Sequence, residues 1–154
     1  WLSGAGVLAT ASPDWPHPRL WSDLTTEGQY VYLKKQPGED ECPGVVEHCD
    51  AAMAIDANAA GDKVASGSKD NSVILWNAGT KLKYAKLSSH SDHVLSLVWM
   101  HSEDKLASGS ADKTIKIWDA TVGSDSSTVS ETLSGHTGSV EALVWIPGLK
   151  KLAA

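Results

Sequence analysis

A histidine, a serine, an aspartate and a tryptophan recur together along this chain of 154 residues. The first set is His48, Ser66, Asp70 and Trp76, and a second set follows 42 residues later. A His base beside a Ser hydroxyl, with an Asp to orient the His, is the arrangement of a nucleophilic triad. A triad occurs once per site, however, and neither serine lies in the Gly-x-Ser-x-Gly elbow that exposes a nucleophile. We therefore predict a structural role for this set and no enzyme activity.

The segments that carry the two sets also repeat. Residues 48–76 and 90–118 align without a gap and are identical at ten of 29 positions. A period near 40 residues indicates repeated supersecondary units, and the identities extend over the whole segment. Shorter copies occur at both ends, since residues 8–21 parallel 106–118 and residues 134–154 parallel 88–108.

Each unit predicts four short strands. Runs at 94–99, 105–111 and 114–120 are apolar or rich in β-branched residues and are separated by turn residues. Fourth strands are predicted at 29–35, 83–89 and 128–135, and no segment has a helical period. Small residues in the middle of 105–111 indicate that another chain segment approaches closely there.

The units define the expected domain organisation, a single partial repeat array over residues 1–154. We predict units at approximately 1–35, 48–89, 90–135 and 136–154, with an acidic connecting insert at 36–47. The first unit lacks its first strand and the last is truncated. We expect that the native chain extends at both ends, the alternative being that two copies close one ring.

This pattern resembles the WD-repeat family. A His precedes the first strand of a unit at His48, His90 and Gly135-His136, and a Trp ends the third strand at Trp21-Ser22, Trp76-Asn77 and Trp118-Asp119. Members of that family are β-propellers, usually of seven blades. The resemblance implies an all-β fold in which about 3.5 four-stranded blades of the ring are present.

The resemblance also implies a role for the repeated polar residues. In the family, Asp in a tight turn binds His, His binds Ser, and Ser binds Trp, which forms a buried hydrogen-bond network. Thr10 takes the place of Ser in the first unit, and Ala154 stands at the Ser position of the last unit. The expected members are His48, Ser66, Asp70, Trp76, His90, Ser108, Asp112, Trp118, Thr10, Asp14, Trp21 and His136.

A candidate partner-binding face follows from the same resemblance. Family members most often bind partners on the top face, formed by the turns between the second and third strands and by the loops that carry the His. The equivalent residues here are Lys69, Asn71, Asp92, His93, Lys113 and Thr137. Their mixed charge favours protein contacts over a track for phosphates.

Composition and motifs limit the other classes of function. The chain has 13 Lys and Arg against 19 Asp and Glu, so its net charge of −6 does not indicate nucleic-acid binding. A single basic face is still compatible with this net charge. No run approaches the ~20 apolar residues of a membrane-spanning helix. The spacing of Cys42, His48 and Cys49 matches no familiar zinc site, and no nucleotide-binding loop is present. We predict no metal, no cofactor, no small-molecule substrate and an intracellular location, in the cytoplasm or in the nucleus or nucleolus.

The predicted function is that of a non-enzymatic interaction scaffold in a multiprotein assembly. One alternative comes from residues 46–76 and 9–21, which are similar to transducin-β-like WD-repeat proteins of the small-subunit processome. That similarity implies ribosome biogenesis, with contacts to pre-ribosomal proteins and RNA. A further alternative is a substrate-receptor or regulatory domain of a larger enzyme complex.

Overall fold

Thirteen β-strands make up the regular structure of the described residues. The computed structural model describes residues 8–12, 15–21, 30–32, 48–101, 104–120 and 129–154, the first three ranges by their backbone alone. No helix occurs within these ranges, and the strands form four antiparallel sheets. The predicted all-β fold class is therefore confirmed. The connection at 36–47 and residue Asp14 lie outside the described residues.

We call the four sheets blades 1 to 4 in chain order. Blade 1 contains three strands, which are β1 (Leu8–Ser12), β2 (Trp15–Trp21) and β3 (Tyr30–Tyr32). Blade 2 contains four, which are β4 (Ala52–Ala57), β5 (Lys63–Ser68), β6 (Ser72–Asn77) and β7 (Lys83–Ser88). Blade 3 contains β8 (Val94–Met100), β9 (Lys105–Ser110), β10 (Ile115–Asp119) and β11 (Val129–Leu133). Blade 4 contains β12 (Val144–Ile146) and β13 (Lys151–Ala153).

Within each blade the strands pair with their neighbours in sequence. Blade 2 has the order β4-β5-β6-β7, and blade 3 has the order β8-β9-β10-β11. Equivalent residues share the same register, because Ser66 lies opposite Ile74 in blade 2 and Ser108 lies opposite Lys116 in blade 3. The repeat in sequence is thus a repeat in strand pairing.

The core lies between the faces of adjacent blades. Leu75 and Leu87 of blade 2 pack in one buried cluster with Trp99, Leu106 and Trp118 of blade 3. A second cluster joins blade 3 to blade 4, and it includes Ile115, Ile117, Val140 and Leu143. Because both faces of a middle blade are covered, the five residues of β6 from Ser72 to Trp76 are all buried. This explains why that strand does not alternate polar and apolar residues.

Candidate functional site: a repeated polar network

In blade 3 a chain of three side-chain hydrogen bonds runs from the core to a tight turn. The Trp118 indole N–H donates to Ser108 Oγ at 2.8 Å. The Ser108 hydroxyl donates to His90 Nε2 at 2.7 Å, and His90 Nδ1–H donates to Asp112 Oδ2, also at 2.7 Å. This direction of donation satisfies every group with a neutral imidazole that carries its proton on Nδ1. The rings of His90 and Trp118 meet edge to face, with centroids 6.2 Å apart.

Asp112 fixes the turn between β9 and β10 and the loop before β8. Its Oδ1 accepts the backbone N–H of Thr114 at 2.9 Å and the hydroxyl of Thr114 at 2.6 Å. Its Oδ2 also accepts the backbone N–H of Ser91 at 3.1 Å. One carboxylate therefore satisfies donors from two separate loops. In the β9–β10 turn, Lys113 lies between Asp112 and Thr114 and has a left-handed backbone with φ 70°.

Blade 2 contains the same arrangement. The Trp76 indole N–H donates to Ser66 Oγ at 2.8 Å, and the Ser66 hydroxyl is 2.8 Å from His48 Nε2. His48 Nδ1 lies 3.2 Å from both carboxylate oxygens of Asp70. Asp70 also accepts the backbone N–H of Cys49 at 2.9 Å, as Asp112 does from Ser91.

A serine that precedes each aspartate by two residues extends the network, and sequence reasoning missed it. The backbone N–H of Asp112 donates to Ser110 Oγ at 3.0 Å, and the Ser110 hydroxyl donates to the carbonyl of Asp92 at 2.9 Å. Ser68 makes the equivalent bonds to Asp70 and Asp50 in blade 2. The signal was present in the sequence, because Ser68 and Ser110 are identical across the repeat.

The remaining predicted members do not join a described network. Thr10 and Trp21 lie on β1 and β2, where only the backbone is described. His136 is exposed, and no hydrogen bond of its side chain occurs among the described residues. Since Ala154 stands where blade 3 has Ser108, this histidine has no equivalent hydroxyl to bind.

Burial sets the electrostatics of the network. Burial lowers the pKa of His90 and outweighs the opposing effect of Asp112, and the charge of Lys116 lowers it further. Burial alone would raise the pKa of Asp112, but hydrogen bonds from Thr114, His90 and the backbone lower it to about 2. For Asp70 the hydrogen bond and charge of His48 likewise outweigh burial and place the pKa well below its ordinary value. The network therefore favours ionised aspartates and, at His90, a neutral imidazole.

We expect acid to destabilise the protein in two stages. The folded pKa of His90 lies below 6.5, so the unfolded chain binds a proton first and stability falls as the pH drops below that value. Asp112 and Asp70 have lowered pKa values, so their contribution is complete above about pH 4 and is lost as the pH falls through their folded values. Urea unfolding between pH 7 and pH 3 measures the first stage and the onset of the second. A midpoint that stays constant over this range would contradict the electrostatic account.

The geometry gives Ser108 no access to a substrate. Ser108 is fully buried, and its oxygen already contacts the Trp118 indole and the His90 ring. A nucleophilic serine must instead present its oxygen to a carbonyl in a cleft. What the network can do is hold the loops at one end of each blade in a single conformation.

Two contacts between blades were not expected from the sequence. Lys63 Nζ of blade 2 binds Asp104 Oδ2 at 3.0 Å and the carbonyl of Ala120 at 3.1 Å, both in blade 3. The backbone N–H of Trp99 donates to Asp56 Oδ2 at 2.6 Å. Asp62-Lys63 and Asp104-Lys105 are identical across the repeat, but that identity does not show that Lys63 of one unit meets Asp104 of the next.

The structure places the six candidate partner-binding residues in turns and loops at the network's end of the blades. Asp92, His93, Lys113 and Thr137 are exposed, whereas Lys69 and Asn71 are half-buried. Asp92 also acts locally, since its Oδ1 accepts the backbone N–H of His93 at 2.7 Å.

Among the described residues, no group of three His, Cys, Asp or Glu side chains is placed to hold a metal ion. The same part of the chain contains no helix with the length and apolarity needed to cross a membrane.

Repeated four-stranded blades joined face to face, each fixed by the same polar network, define a protein of the β-propeller class. The family model for the WD domain, G-beta repeat (WD40), matches residues 41–77, which include β4 to β6 of blade 2, and residues 81–119, which include β7 of blade 2 and β8 to β10 of blade 3. These two segments are therefore repeats of the WD-repeat family, and the resemblance found in the sequence is confirmed.

Solved structures agree with this fold. The structure of U3-55K matches with a TM-score of 0.71 at 23% identity, over 90% of this chain and 38% of that chain. The crystal structure of RRP9 WD40 repeats matches with a TM-score of 0.71 at 22% identity and the same coverage. At these identities the likeness defines the fold, and this chain spans about two fifths of either structure. No curated protein sequence shows a significant match.

Proposed function

We propose that this protein is a non-enzymatic scaffold that binds other proteins of an intracellular assembly through the network's end of its blades. The observation that carries the proposal is that the same carboxylate contacts occur in blades 2 and 3. Asp70 and Asp112 each join a strand-to-strand turn to the loop of the preceding His. Loops that are already ordered lose little conformational entropy on binding, which favours docking of partners.

The proposed binding surface consists of the top-face residues Lys69, Asn71, Asp92, His93, Lys113 and Thr137. It combines two lysines and an aspartate with neutral polar groups and a histidine, so it suits a protein partner with complementary charges. The left-handed backbone at Asn71 (φ 67°) and at Lys113 (φ 70°) lies at equivalent positions of two turns. The two blades thus present the same turn geometry with different side chains.

The test is a charge reversal at this surface in the full chain. We expect Lys113→Glu combined with His93→Glu to reduce recovery of co-purifying proteins by about tenfold, because charged groups at an interface set partner choice. Lys81→Glu is the matched control, since Lys81 also has a left-handed backbone (φ 64°) but lies in the β6–β7 turn at the other end of blade 2. Equal recovery from all variants, at unchanged thermal stability, would contradict the proposed surface.

A ribosome-biogenesis assembly is the second candidate. The observation that favours it is the similarity of residues 46–76 to WD-repeat proteins of the small-subunit processome. Such a role would add contacts to RNA, and binding through phosphates weakens steeply as salt rises. Absence of binding to structured RNA would exclude RNA contact, and an affinity that does not change with salt would exclude contact through phosphates. Selective binding of a short peptide at the top face would instead favour a substrate receptor of an enzyme complex.

A further inference from the structure

We draw no further inference here: the strongest candidate, the pair of exposed aspartates at equivalent positions in the loops before β4 and β8, Asp50 and Asp92, lies on the top face already proposed to bind partners, and nothing else among the described residues points to a ligand there.

Discussion

Replacing Asp112 by alanine is expected to lower the free energy of unfolding by about 3 kcal/mol. The carboxylate accepts hydrogen bonds from His90, from the backbone and hydroxyl of Thr114, and from the backbone of Ser91. Its side chain is only 7% exposed, and that of His90 is 1% exposed, so water cannot fully replace the lost acceptor. Buried donors left without a partner carry the full cost of their desolvation. Urea unfolding followed by tryptophan fluorescence measures the change.

Glu141→Ala is the control for that experiment. Glu141 is also an acidic residue of the described region, but it is exposed, and its loss should change stability by less than about 0.5 kcal/mol. Asp112→Asn should lie between the two, because the amide oxygen still accepts while the charge is lost. If Asp112→Ala is as stable as Glu141→Ala, the network does not hold the blade.

Introducing one methyl group at Gly109 is expected to destabilise the protein by about 2 kcal/mol. A Cβ on this β9 residue would lie 2.4 Å from Ser96 Oγ and 2.6 Å from Val140 Cγ1. Ser96 is on the neighbouring strand and Val140 begins the contact with blade 4, so neither can move without opening the packed interface. Gly109→Ala therefore separates strands and blades that the wild type brings together.

A matched glycine in the same chain controls for the effect of glycine itself. A Cβ at Gly138 would meet no atom within 4 Å, so Gly138→Ala should be neutral or slightly stabilising. Comparing the urea midpoints of the two variants isolates the close approach at Gly109. Equal midpoints would show that blades 3 and 4 do not pack as described.

The strands were predictable because the chain repeats. A short segment that is a weak strand candidate by itself can be compared with the equivalent segments of the other units. The run at 128–135 predicts a strand only by comparison with the other units, and β11 lies there at Val129–Leu133. Small residues in 105–111 predicted a close approach, which the contacts of Gly109 confirm. The members of the polar network in blades 2 and 3 were also predictable from the sequence, since His, Ser, Asp and Trp recur at fixed spacing.

Other features depend on which units become neighbours, and spacing within one unit does not contain that information. Lys63 and Asp104 are 41 positions apart and meet because blades 2 and 3 pack face to face. The role of Ser110 was missed for another reason. Its identity with Ser68 marks the position in the repeat, but the residue type alone does not show that the hydroxyl bridges a turn to a loop.

The central claim is that the network holds the loops of the proposed binding face in one conformation. Native-state hydrogen exchange at the backbone amides of Ser91 and Thr114, both bound to Asp112, tests it most directly. We predict exchange that requires unfolding of the whole blade, with protection similar to that of the amides in β9. Exchange at these two amides as fast as in an unfolded peptide, while β9 remains protected, would contradict the claim.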